Sequence, residues 1–305
     1  MARFIVRRLL WLIPVLGFVS FITFSLMHLV PGGPWDRDKK LAPAVVEALN
    51  RRYGLDKPFH EQYLNFVANA LQGDLGVSYT YQDRGVTEII MQGFPTTATL
   101  GALALLISVL LGISLGTIAA LRPNSWVDYL SIAFATLGAA APSFVIGIVL
   151  VIVFSVWLHL LPTSGWGTPA KAVLPALALG AYPAAFLARL TRSSMLEVLS
   201  QDYIRTARAK GLAYQTMLIR HAVKNALIPV LTVAGPIAAF FATGSFVIEN
   251  LFSIPGIGRL FVQGVFQRDY GLIMGTTLFY AFIVAIANLV VDVLYAFVDP
   301  RIRYQ

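Results

Sequence analysis

Six runs of apolar residues, each long enough to cross a lipid bilayer, divide this chain of 305 residues: 9–30, 96–120, 129–158, 172–190, 229–248 and 272–298. At 1.5 Å per residue the first would reach about 33 Å as a helix, against a hydrocarbon core of about 30 Å. Charged residues make up only 12% of the chain, about half the share of an average soluble domain. The expectation is an all-α integral membrane protein with six transmembrane helices. The first run is longer than the apolar region of a signal peptide, and no A-x-A site precedes Pro31, so it reads as a retained span. The third run contains Pro142 and reads as one kinked span rather than a span plus a re-entrant piece.

The net charge is +8. The basic residues abut the apolar runs, so they read as determinants of orientation and not as a nucleic-acid footprint. With the N-terminus inside, the cytoplasm receives Arg3, Arg7, Arg8, Arg122, the set Arg189, Arg192, Arg205, Arg208, Lys210, Arg220 and Lys224, and finally Arg301 and Arg303. The short external loops then hold only Lys171, Arg259 and Arg268. Both termini are therefore expected in the cytoplasm. Residues 1–30 form the cytoplasmic N-terminus and first span, 31–95 an external region of nearly balanced charge, and 96–305 the core, with a cytoplasmic loop at 191–228. Within the external region, residues 42–52 read as a short helix, and Gly54, Pro58 and the GDLG of residues 73–76 as turns.

Several chemistries are excluded or lack support. The chain has no cysteine, so disulfides, thiolate metal sites and cysteine nucleophiles are impossible. His28, His60, His159 and His221 are far apart in sequence, and none has a paired-ligand spacing, so no metal site is expected. There is no GxSxG, and a membrane-embedded enzyme would need converging His, Asp or Glu groups, whereas only Asp292 lies well within a span. There is no G-x-x-x-x-G-K-[ST], so ATP is not expected on this chain. Small residues recur at helix-packing spacing, at Ala176, Gly180, Ala184 and Ala188 and at Gly112 and Gly116; such residues let helices approach closely in lipid.

The loop at residues 193–232 is the most informative segment. It is too polar to span. Leu196, Leu199, Tyr203 and Ala207 share one helical face, and Lys210 followed by Gly211 is a helix stop. A second helical stretch, about 215–225, leads into Pro229. On physical grounds alone two readings stand: a helix–Gly–helix hairpin that receives a partner, or a basic surface helix resting on anionic lipid.

The sequence DYIRTARAKGL…RHAVKNALIPVLT resembles the cytoplasmic EAA loop of permease subunits of dipeptide/oligopeptide ABC importers. RRLLWLIPVL near the N-terminus, GDLGVSY at 73–79 and VIENLFSIPGIGRL…RDYGLIMG at 247–275 resemble the same family, so the likeness covers nearly the whole chain. Arg205 stands where the general EAA pattern has its glutamate, and Thr206 where it has its first alanine. The resemblance implies the transmembrane domain of a type I importer. Its partners would be a sister permease subunit, two ABC ATPase subunits carrying ATP and Mg, and an external substrate-binding protein, all in or at the cell's inner membrane. Dipeptides and longer peptides lead as cargo, with nickel chelates or oligosaccharides carried by relatives; a passive channel is opposed by the ATPase-docking loop.

Three groups of candidate residues follow. Tyr203, Arg205, Thr206, Ala207 and Gly211 would couple to an ATPase, with Ala207, Ala209 and Gly211 leaving room for close approach by the partner. Asn288, Asp292, Tyr295 and Asp299 form a polar stripe on the sixth span; Asn288 and Asp292 are candidates for an inner gate, with Asp292 expected to pair with Arg189 or Arg192. Glu249, Pro255 and Gly256 would belong to an external lid or binding-protein dock.

Overall fold

A computed structural model describes residues 2–35, 41–81, 84–242 and 244–298, with side chains described from residue 5 to residue 293 among these. Helices account for most of this: α1 (Ala2–Leu29), α2 (Pro43–Tyr53), α3 (Phe59–Ala70), α4 (Val86–Leu121), α5 (Trp126–Ala140), α6 (Ser143–Leu150), α7 (Pro169–Leu199), α8 (Asp202–Ala209), α9 (Tyr214–Met217), α10 (Lys224–Ala242), α11 (Phe246–Leu251), α12 (Ile257–Gln267) and α13 (Tyr270–Val298). Wider π-helical turns extend α6 through Val151–Trp157 and join α9 to α10 through Leu218–Val223. By length and composition, five helical stretches in the described residues can cross a membrane, and six when α5 and the extended α6 count as one broken crossing.

The chain divides into two compact units. Among the described residues, the first comprises residues 2–97 and 255–289, the second residues 98–254 and 290–298. In the first, Phe24 and Met27 of α1 pack with Ile273 and Met274 of α13 and with Tyr63 and Phe66 of α3. The Ser20 hydroxyl lies 3.0 Å from the Tyr63 hydroxyl. Gly54 ends α2 at φ +67°, where the absence of a Cβ removes the left-handed penalty, and the Leu55 N–H returns to the Asn50 carbonyl. Helix α4 begins ten residues before the expected span. Val86, Ile89 and Ile90, spaced on one helical face, bury against Ile257 and Leu272 and extend the helix at its N-terminal end.

The second unit is organised on α7, whose small residues lie buried as their spacing predicts: Ala176, Gly180, Ala184 and Ala188. A Cβ on Gly180 would come within 2.9 Å of both the Ala104 carbonyl oxygen and Ser108 Oγ. One on Gly112 would come within 3.0 Å of the Ala184 carbonyl oxygen, and one on Gly116 would strike the Ala188 carbonyl oxygen. Ser108 uses the closeness to donate to the Gly180 carbonyl at 2.9 Å.

Pro142 does more than kink the third run. Proline excludes the preceding residue from helical geometry, and Ala141 is extended at φ −91°, ψ 136°. The two arms meet at 115°. The first arm has 15 residues and reaches about 22 Å, too short to cross alone. Helix α10 stops at Ala242, six residues short of the expected end of its span; Gly244 turns the chain at φ +67°, and Ser245 caps α11.

Candidate functional site

The loop between α7 and α10 folds as a helical hairpin. Helix α7 runs unbroken to Leu199, and Gln201, extended at ψ 149°, starts α8. That break resets the helical phase. Of the face that continuous periodicity assigns to Leu196, Leu199, Tyr203 and Ala207, Ala207 is buried with Met195, Ile204, Met217, Ala222, Ala226 and Ala120, and Leu196 and Leu199 pack half-buried against this core. Tyr203 turns outward, 42% exposed, and its hydroxyl accepts from Asn225 Nδ2 at 3.0 Å. Ile204, missed in the sequence, is fully buried. Only the extended backbone at Gln201 decides between the two phases, and no local signal at Ser200 or Gln201 announces it.

The turn has the expected left-handed glycine. Gly211 sits at φ +75°, its N–H bonded to the Arg208 carbonyl at 3.0 Å, with Leu212 N–H reaching the Ala207 carbonyl at 3.3 Å. Arg205, Thr206, Arg208, Ala209 and Lys210 are exposed, beside the exposed side chains of Leu212, Tyr214 and Ile219. Ala207, by contrast, is consumed inside the hairpin and offers no room to a partner. The ion pair of Arg205 with Asp202, at 3.3 Å, is open to solvent and worth little. The hairpin thus presents cations and aromatic rings around an open turn, backed by a small apolar core.

Beneath it lies an ion pair that the sequence reading did not assign. Arg192 of α7 gives Nε to Asp128 Oδ1 at 2.6 Å and Nη2 to Oδ2 at 2.7 Å. Asp128 opens α5, is 1% exposed, and also accepts from the Asn124 N–H at 2.9 Å. Removing one member of a buried pair costs about 3–5 kcal/mol, less here because the Arg192 side chain stays 25% exposed. The legible signal was Ser125-x-x-Asp128, an N-terminal capping pattern; the Ser125 hydroxyl accepts from the Asp128 N–H at 3.4 Å. Of the two arginines expected to face Asp292, Arg192 pairs with Asp128, and Arg189 donates from Nη1 to the Ala135 carbonyl at 3.3 Å. Asp292 is half-buried on α13. Asn288, in the first unit, lines a groove with Arg8, Trp11 and Val284. The side chain of Tyr295 and all of Asp299 lie outside the described residues.

The two motifs at 73–79 and 268–275 meet in the first unit. Asp269, fully buried, accepts from Ser78 Oγ at 2.5 Å and from the Thr80 N–H at 3.0 Å, and caps α13 through the Leu272 N–H at 3.0 Å. Gly271 is a close approach: a Cβ there would strike the Val77 carbonyl oxygen. Burial, and secondarily the Asp269 carboxylate, push the Tyr79 phenol up, disfavouring the phenolate. Of the candidate dock residues, Glu249 is fully buried in α11. Pro255 is exposed, and Gly256, which caps α12, borders with it a groove of about 470 Å³ that Arg84, Gln92 and Arg259 also line.

Residues 112–304 match the family model described as the binding-protein-dependent transport system inner membrane component, and residues 1–101 match the model of its N-terminal part. The chain belongs to this family. Among curated relatives of the family, the dipeptide transport system permease protein DppB of Bacillus subtilis is 43% identical over 303 residues, covering 99% of this chain and 98% of its own. The oligopeptide transport system permease protein OppB of Escherichia coli K12 is 43% identical over 306 residues, covering both chains fully. A solved inward-facing MetNI methionine ABC transporter is similar in fold, with TM-score 0.56 and 16% identity over 69% of this chain and 96% of that one. This transport-system component is a multi-pass membrane protein with the all-α fold of a type I ABC importer transmembrane domain.

Proposed function

We propose that this chain is one of two permease subunits of an ATP-driven importer in the inner membrane, translocating dipeptides and oligopeptides delivered by an external binding protein. The observation that carries the reading is full-length identity of 43% to both a dipeptide and an oligopeptide permease. The N-terminus and the hairpin face the cytoplasm in this reading, residues 31–95 lie outside, and 96–305 form the core with its coupling loop at 191–228. ATP and Mg bind two ATPase subunits. Arg205, Thr206 and Gly211 on the exposed rim of the hairpin, with Tyr203, meet one of these. Closing of the ATPase dimer selects one of two arrangements of the spans, and hydrolysis resets it. Pro255 and Gly256, which line an open groove, belong to an external lid or dock. Asn288 and Asp292 contribute to an inner gate on α13.

The test is reconstitution. The chain, purified with its co-isolated subunits into proteoliposomes, should take up labelled dipeptide only with ATP and a loaded binding protein. Uptake of a nickel chelate or an oligosaccharide in place of peptide would replace the cargo, and solute flux without ATP would reject the importer.

A further inference from the structure

We propose that Asp128 and Arg192 are positioning residues. Their ion pair makes the hairpin and the first turn of α5 move as one body, so that displacement at α8 is delivered to the bent α5–α6 pair. The proposal rests on the coupling reading of the hairpin and assigns the route by which its motion enters the spans.

Three observations carry it. First, the pair is bidentate, at 2.6 and 2.7 Å, and one partner is almost wholly buried. An apolar contact would hold two helices together but would let them slide, whereas a fork-to-carboxylate pair fixes their angle and register. Second, the pair sits where the hairpin core meets α5. Met195, one helical turn beyond Arg192, is fully buried in that core. Ala120, at the end of α4, lies in the same core, and the short turn from Arg122 to Ser125 then leads to Asp128. The turn itself is pinned, by Ser125 Oγ to the Arg122 carbonyl at 2.6 Å and by the Asn124 N–H to Asp128. Third, Gly116 removes the side chain that would hold α4 off α7: a Cβ there would lie within 3.0 Å of the Arg192 backbone nitrogen. α4, α5 and α7 are thus locked at one level, and the next place where the chain can give is the extended residue Ala141, at the far end of α5.

The absence of native cysteines allows a direct test. Spin labels at Trp126→Cys and Ser200→Cys, both exposed, report the distance between the start of α5 and the end of α7 in the assembled transporter. That distance should be unchanged between the nucleotide-free state and the state trapped with ATP and vanadate. In Asp128→Asn the distance distribution should broaden, and peptide taken up per ATP hydrolysed should fall about tenfold while the ATPase remains attached. A wild-type distance that shifts between the two states overturns the proposal. So does wild-type uptake per ATP in Asp128→Asn. If that variant does not assemble, the wild-type distances decide. Failure of the coupling reading looks different: the ATPase would attach normally to a chain whose hairpin is disrupted by Gly211→Val.

Discussion

A Cβ at Gly211 would meet nothing within 4 Å, yet the residue lies at φ +75°. Its requirement is therefore conformational and not steric. An ordinary side chain there costs about 1 kcal/mol or more, a β-branched one most, while asparagine tolerates the left-handed region. Gly211→Val should reduce ATPase co-purification and uptake several-fold with membrane insertion intact; Gly211→Asn should stay close to wild type. Equal loss in both variants would mean that the partner needs the space itself. Ile204 makes the complementary case. Fully buried, its truncation to alanine should destabilise the hairpin by about 2–4 kcal/mol. That would be read as faster proteolysis at residues 200–215 in membranes. Tyr203→Ala, on the outer face, should leave proteolysis unchanged and weaken only partner binding.

At the scale of elements, helix contacts turn on where glycine is required. Gly116→Val would place atoms against the Ala188 carbonyl oxygen and within 2.6 Å of Thr191 Cβ, so it should abolish accumulation of folded protein. Gly17→Ala, with nothing within 4 Å, should not change its thermal midpoint in detergent. The packing stripe on α7 was legible because its i, i+4 spacing has one geometric meaning. The span ends were less so. Apolar Val86, Ile89 and Ile90 lengthen α4 at its N-terminal end because α12 and α13 cover them, a tertiary effect invisible locally. Pro142 marked the break in the third run, but the 115° angle depends on what the arms pack against, including Leu251 and Phe252 at Gly147. The Asp128–Arg192 pair lies 64 residues apart in sequence. A single aspartate near an apolar run leaves several arginines open as partners.

For the whole molecule, the charge distribution sets orientation. A cysteine at Asp56 should react with a membrane-impermeant maleimide on intact cells, and one at Gln215 only after the membrane is opened; the reverse pattern would invert the topology. The central claim is that the exposed rim of the hairpin is where the ATPase engages. Arg205, with its side chain 74% exposed, is the place to measure it. A cysteine there, carrying a short photo-cross-linker in the purified complex, should capture an ATP-hydrolysing subunit in high yield, and a matched probe at Asp56 should not. No cross-link from position 205, or equally from positions 208 and 214, in a complex that still imports peptide would contradict the account.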